Sequence, residues 1–381
     1  MRLRSGSAHG TAGAGTGATR GRRLRARLRV LRTIAGGALL VGFAAHAARS
    51  VANDGTVTAA RGTGDRPMNA ASAAEDTAWV SAGERLLVIA PHPDDEVLGA
   101  GGLVQRVLAL GGSARVLWVT AGDGFPRGVA EDVGRSGPSA ADFLSYGRKR
   151  LREARVAAAS LGAGKLQQRL LGFPDGSLSP LLSTHWRTSH PLRSPTTLRH
   201  NAPYAEASER YLAYTGSNLR AALMHSMHSM GSMGNAGPTL LAFPDPADQH
   251  PDHHAVGMVS LLAAHDASDA AHQPQPKLLG YLVHWRGWPA DSADPGAIGA
   301  RHTAPLPLPN DLPDRGLSQR CLTLSRGEVE TKAAALAAYK TQQAIMPAFL
   351  AAFVRSTECF SLHTATSAAA ASREIRAARH E

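Results

Sequence analysis

From residue 85 onward, short continuous apolar runs alternate with stretches of helical spacing. Residues 86–90 (LLVIA) form such a run and end at Pro91, the pattern of a strand buried on both faces. Residues 98–110 follow with helical spacing and stop at Gly111-Gly112, and residues 114–120 (ARVLWVT) form a second buried run. A strand–helix–strand unit of this kind implies a right-handed crossover and parallel pairing. The alternation continues through a helix at 147–161, stopped by Gly162, and a short strand at 169–173. After these come a strand at 239–243, a helix at 251–264, a strand at 278–285, a sixth strand at 321–324 and a helix at 326–340. The predicted architecture is α/β: a Rossmann-like, doubly wound, mostly parallel sheet with two insertions. Residues 123–145 read as a long polar loop and residues 179–237 as an insertion, partly helical around 206–224. Both are expected at the mouth of a site. Residues 224–233 (MHSMHSMGSM) are low-complexity; such tracts can bind copper or nickel, but a flexible loop is the simpler reading.

Charge changes this picture only at one end. Of the 41 basic residues, ten arginines lie in residues 1–50, which contain no acid, so 31 remain against 30 acids in the rest. A nearly neutral body excludes an electrostatic nucleic-acid footprint despite the net charge of +11. The arginines from Arg20 to Arg32 precede a short apolar stretch at 33–47, and Ala45-His46-Ala47 fits a small-x-small processing site. The stretch is short for a membrane span, which needs ~20 apolar residues. Residues 1–50 are therefore expected to be an export signal, cleaved or kept as a membrane anchor, with the body acting outside the cytoplasm. Residues 51–83 read as a linker, 84–360 as the main folded domain and 361–381 as a tail. The two cysteines, Cys321 and Cys359, lie in no CxxC pattern; a disulfide and two separate buried thiols are both open.

The chemistry sits at two predicted strand ends. After the first strand comes Pro91-His92-Pro93-Asp94-Asp95-Glu96, and after the fourth comes Asp248-Gln249-His250-Pro251-Asp252-His253-His254. In an open parallel sheet, ligands bind at the carboxyl ends of the strands. His92 and Asp95, three residues apart in a turn entering a helix, are both good zinc ligands, and the second cluster adds a histidine. Three protein ligands leave a metal ion with an open coordination position, the catalytic arrangement. Zinc suits the donors best, and iron or manganese also accept a His/Asp set. Asp94, between the ligands, points another way and is free to act as a base. Gly101-Gly102 lacks the GxGxxG spacing of a dinucleotide site. His254 is not taken as a ligand, His284 reads as a polar strand-end residue, and Trp285 and Trp288 read as packing.

These motifs resemble the PIG-L/LmbE-like family of zinc-dependent N-deacetylases. The similarity rests on APHPDDE with the following Gly-rich helix start and on HPDHHAVG. Weaker echoes are Thr120-Ala121-Gly122-Asp123-Gly124, with Asp123 where the family carries Glu, Arg150 to Glu153, Phe173-Pro174-Asp175-Gly176, and Tyr339-Lys340-Thr341-Gln342. The resemblance implies His92, Asp95 and His253 as metal ligands and Asp94 as general base. It implies a protonated His250 as oxyanion stabiliser or acid, oriented by Asp252, and contacts from Asp123, Arg150 and Asp175 to the sugar. The expected activity is hydrolysis of the acetamide of an N-acetylglucosamine-type sugar or glycoconjugate. The alternatives are a metal amidase acting on another N-acyl substrate and an inactive carbohydrate-binding member of the fold.

Overall fold

The computed structural model describes residues 79–228, 230, 237–271, 274–290, 292, 302–313 and 316–379. The arginine-rich segment and the apolar stretch 33–47 lie outside the described residues, as do positions 229 and 231–233 of the Met/His tract.

Seven strands form one sheet: β1 (Arg85–Ala90), β2 (Ser113–Thr120), β3 (Gln167–Phe173), β4 (Leu240–Pro244), β5 (Lys277–Tyr281), β6 (Ser318–Thr323) and β7 (Thr357–His363), in the order β3-β2-β1-β4-β5-β7-β6. The first five are parallel, and β7 runs antiparallel to both β5 and β6. The continuous apolar runs follow from burial on both faces. In β1, Leu86 and Val88 join one core while Leu87 and Ile89 join the other. The chain winds from β1 through β2 to β3 on one side, then returns to β4 and β5 on the other. The carboxyl ends of β1 and β4 thus flank the point where strand order reverses, the place where open parallel sheets bind ligands.

Helix α1 (Asp95–Ala109) begins inside the His-Pro-Asp-Asp-Glu turn and bends at Ala100, whose φ is −144°. A buried ion pair straddles the bend. Glu358 accepts from the amides of Gly102 (2.7 Å) and Leu103 (2.9 Å), while Lys332 donates to Glu358 (2.7 Å) and to the carbonyl of Leu98 (2.9 Å). The pair serves backbone groups that the bend removes from the helix ladder. Gly102 leaves room for both neighbours at the bend, since a Cβ there would lie 2.3 Å from Leu324 and 3.1 Å from Glu358 Oε2.

Several expectations are corrected. Residues 123–145 are not a loop: they contain α2 (Pro126–Val133) and the start of α3 (Ala140–Leu161). A Ser139–Asp142 capping box starts α3, and Phe143 and Tyr146 pack on Val129, so few apolar anchors suffice. The 179–237 insertion contributes core rather than a mouth. Leu181, Trp186, Tyr214, Leu219 and Leu223, the last two on α4 (Gly216–His228), enter the second core. Helix α5 (Pro251–Ala271) runs past its expected end. Beyond α6 (Arg326–Leu336), two short helices follow, α7 (Lys340–Gln343) and α8 (Pro347–Ala352). The expected tail carries the end of β7 and α9 (Ala365–Ala377), whose Ala368, Ala371 and Ile375 are buried. Trp79 and Val80 of the expected linker already pack, Trp79 edge-on to Phe360. No helix among the described residues is long and apolar enough to cross a membrane.

Cys321 and Cys359 sit opposite each other on β6 and β7 and are joined by a disulfide. A sequence separation of 38 gives the cross-link about 3–4 kcal/mol through restriction of the unfolded chain. Cys321→Ser/Cys359→Ser should lower unfolding stability by roughly that amount in urea titration. An unchanged midpoint would refute the estimate.

Candidate metal centre and active site

β1 ends at Ala90, and the turn after it is held from several sides. Thr120 donates its hydroxyl to the carbonyl of Pro91 at 2.9 Å. Asp94 adopts φ 123°, a left-handed conformation unusual for a residue with a Cβ. The surroundings over-determine it. The Asp94 amide donates to Glu96 Oε2 (3.2 Å), its carbonyl accepts from Val97 and Leu98 (3.0 Å each), and Arg150 Nη2 reaches its Oδ2 at 3.1 Å. Glu96 is itself fixed by the Trp118 indole (3.0 Å) and the Tyr339 hydroxyl. Through this turn Asp94 and Asp95, though adjacent, face different partners.

Three donor atoms converge beside it. Asp95 Oδ2 lies 3.2 Å from His92 Nδ1 and 3.1 Å from His253 Nε2, and the two ring nitrogens are 3.3 Å apart. A tetrahedral zinc ion with ligand bonds of about 2.0–2.1 Å needs donors roughly 3.3–3.4 Å apart. The triangle is thus close to the size such an ion requires, and its donor chemistry fits a divalent transition metal. The other ring nitrogens meet carboxylates, as the ligands of metal centres commonly do. His92 Nε2 lies 3.0 Å from Asp175 Oδ1 and 3.5 Å from Asp252 Oδ2. His253 Nδ1 lies 3.2 Å from Asp248 Oδ2, a charge contact without hydrogen-bond alignment.

The buried charges set the protonation states. Burial works against a protonated His253, but Asp95 and Asp248 prevail and raise its pKa to about 10. His92 is likewise raised: burial opposes the proton, and Asp175, Asp252 and Asp95 outweigh it. These protons occupy the place in the charge balance that a cation would take. Burial lifts Asp94 to about 7, opposed by Arg150 and assisted by Asp95. A cation held by the triad would pull it back down. His250 goes the other way: burial and the imidazoles of His92 and His253 push it to about 4. This corrects the expectation of a protonated His250, since a cation nearby would act in the same direction. The Asp252 amide donates to His250 Nδ1 at 3.2 Å, so the neutral ring carries its hydrogen on Nε2.

The predicted residues thus come together, with altered partners. The Asp252 carboxylate does not orient His250. It accepts from the amides of Gly176 (2.7 Å) and Leu178 (2.9 Å), and only its backbone touches His250. The residues expected to read a sugar are committed internally. Arg150, 3% exposed, donates to the carbonyls of Pro93 (2.6 Å) and Gly122 (3.0 Å) as well as to Asp94. Asp123 accepts from Tyr204, a residue of the insertion, and Asp175 accepts from the Gly124 amide and faces His92. Asp248 was missed as a functional residue although it heads the second motif. Its Oδ1 accepts from the His250 amide and its Oδ2 from the amides of Val283 and His284, all at 2.9 Å. His284 was also missed: its ring lies 4.7 Å from that of His253 and 5.0 Å from that of His250. A histidine at the carboxyl end of a parallel strand was the available signal. His254 stays outside, bonded to the Pro246 carbonyl at 2.7 Å.

The profile of the PIG-L family, described as GlcNAc-PI de-N-acetylase, matches residues 87–264. No curated protein matches the chain by sequence. Among solved structures, the chain is similar to a pseudoaglycone deacetylase of an antimicrobial reagent (18% identity, 73% of this chain and 96% of that one, TM-score 0.45). It is also similar to the N,N'-diacetylchitobiose deacetylase of Pyrococcus horikoshii (15%, 74% and 85%, TM-score 0.43). A third is a deacetylase of teicoplanin biosynthesis (17%, 68% and 86%, TM-score 0.41).

The triangle predicts one divalent ion per chain, measurable by elemental analysis of the purified protein. His253→Ala should abolish high-affinity binding. Asp248→Asn, which keeps all three ligands, should weaken affinity about 10- to 100-fold, the scale of a lost ligand-supporting carboxylate. Full occupancy in His253→Ala would exclude the triad as the metal site.

Proposed function

Since residues 87–264 form a PIG-L-family domain, we propose that this protein is a zinc-dependent N-deacetylase that hydrolyses the acetamide of an N-acetylglucosamine-type sugar or glycoconjugate, releasing acetate and a free amine. The observation that carries the reading is the His92–Asp95–His253 triangle with Asp94 on one flank and His250 on another. Zinc is the preferred ion because the nitrogen-rich donor set and the triangle edges suit it, with Fe2+ the other candidate. When bound there, such an ion supplies Lewis acidity, lowering the pKa of water to about 7 and polarising the amide carbonyl.

The chain's own groups divide the remaining work. Asp94, held by Arg150 and by its fixed backbone, accepts the proton of the attacking water through its carboxylate and returns it to the leaving amine. His250, neutral and with Nε2–H uncommitted, offers a hydrogen bond to the oxyanion of the tetrahedral intermediate. Asp175, Asp252 and Asp248 keep the ligand rings in place.

A broader amidase on another N-acyl substrate is the second reading, favoured by one observation: Arg150, Asp123 and Asp175 are already engaged within the protein. A complete set of ligands, base and oxyanion donor speaks against an inactive binding module. Action outside the cytoplasm is part of the proposal, supported by the Cys321–Cys359 disulfide, which suits an oxidising compartment. Fractionation of the native host should place the domain there, and a wholly cytoplasmic protein would refute it.

Acetate release from N-acetylated sugars, with and without chelator, tests the activity. Asp94→Asn should retain the metal while kcat falls roughly 100-fold or more. Asp95→Asn should lose metal affinity and regain part of its activity in excess zinc. His250→Ala should retain the metal and lose about 100- to 1000-fold in kcat. Metal loss in Asp94→Asn with retention in Asp95→Asn would reverse the two assignments.

A further inference from the structure

The residues expected to read substrate hydroxyls are turned inward, so recognition needs another wall. The C-terminal part of the chain, beyond the family match, supplies one. His284 lies just past the end of β5 and is pinned through its backbone. Its amide donates to Asp248 Oδ2 at 2.9 Å, and its carbonyl accepts from the Gln249 amide at 2.9 Å. The same Asp248 carboxylate holds the His250 amide and faces His253, so one buried group sets His284 in register with the metal triad. The His284 ring stacks on Phe349 of α8, with centroids 5.6 Å apart and planes within 6°. Phe349 is braced in turn, edge to face, by Phe353 at 5.2 Å. Both His284 and Phe349 are partly exposed.

The ring is therefore fixed in position and plane but not consumed. Among the described residues, no protein group hydrogen-bonds either of its nitrogens. Its neighbours differ in this respect. His92 and His253 turn their second nitrogens to carboxylates, and His250 uses Nδ1 on the Asp252 amide.

We propose that His284, braced by Phe349, is a substrate-binding residue that hydrogen-bonds a hydroxyl of the saccharide carrying the acetamide. The inference rests on the deacetylase reading. One neutral hydrogen bond of this kind is worth about three- to tenfold in affinity.

The test measures KM and kcat for wild type, His284→Ala, His284→Gln and Phe349→Ala on N-acetylglucosamine and N,N'-diacetylchitobiose. Bound zinc and the inhibition constant of acetohydroxamate, a metal-directed ligand without sugar hydroxyls, are measured alongside. The expected result for His284→Ala is a KM raised about three- to tenfold, kcat within about threefold, and unchanged zinc content and acetohydroxamate inhibition. His284→Gln, which keeps a donor and an acceptor, should lie between wild type and His284→Ala. Phe349→Ala should move KM in the same direction. Unchanged KM in His284→Ala, with active wild type, overturns the proposal alone. Loss of zinc or weakened acetohydroxamate inhibition in His284→Ala also overturns it, since the residue would then serve the metal centre. Absence of acetate release by wild type on both sugars overturns the deacetylase reading and this proposal together.

Discussion

Carboxylates buried together must be neutralised, and this requirement shapes the carboxyl edge of the sheet. Asp94, Asp95, Asp175, Asp248 and Asp252 are all nearly inaccessible there. Ionised groups withdrawn from water cost several kcal/mol each unless paired. The fold answers with what lies at hand. Asp95 and Asp252 stand in the first turns of α1 and α5, where the helix ends favour negative charge. Asp248 and Asp252 each take backbone amides from neighbouring loops, and Arg150 crosses from α3 to Asp94. What remains falls to His92 and His253, whose protons are held far above their usual range. A cation held by the same donors would meet the same carboxylates, and its binding would displace those protons.

The strand order makes that convergence unavoidable. Reversal between β1 and β4 brings two loops side by side that are separated by some 150 residues of chain. Each loop brings acids and histidines, so neither motif is electrostatically complete alone. The cost of holding Asp94 at positive φ belongs to the same economy. In that conformation Asp95 joins the triad while Asp94 meets Arg150.

Much of this was legible in the sequence because the signals were local. Continuous runs such as Leu86 to Ala90 mark strands buried on both faces, and glycines mark the helix stops. The ligand types stand in two tight motifs, so the triad could be named before any contact was known. The failures have a common cause: they concern partners chosen across space. Nothing local says that Asp252 turns to Gly176 and Leu178, or that Arg150 is spent on Pro93, Gly122 and Asp94. β7 carries Glu358 and Ser361 among its apolar positions, which hides a strand whose Glu358 serves α1. The helices at Pro126–Val133 and Ala365–Ala377 are poor in large apolar residues and depend on tertiary packing.

The distribution of rigidity across the site follows from those partners. The ligand side is anchored in the sheet and in α1 and α5, and it is backed by Glu96, which ties Trp118 of β2 and Tyr339 to the Asp94 backbone. The opposite side is built by later chain, from the end of β5 and from α8, and meets the first side through Asp248. Chemistry and recognition are thereby separable in the chain. The family-matched segment holds every residue assigned to bond cleavage, while the segment after it supplies the wall that faces them. Changes in the later segment can alter what the site accepts without disturbing the charge balance that holds the metal side together.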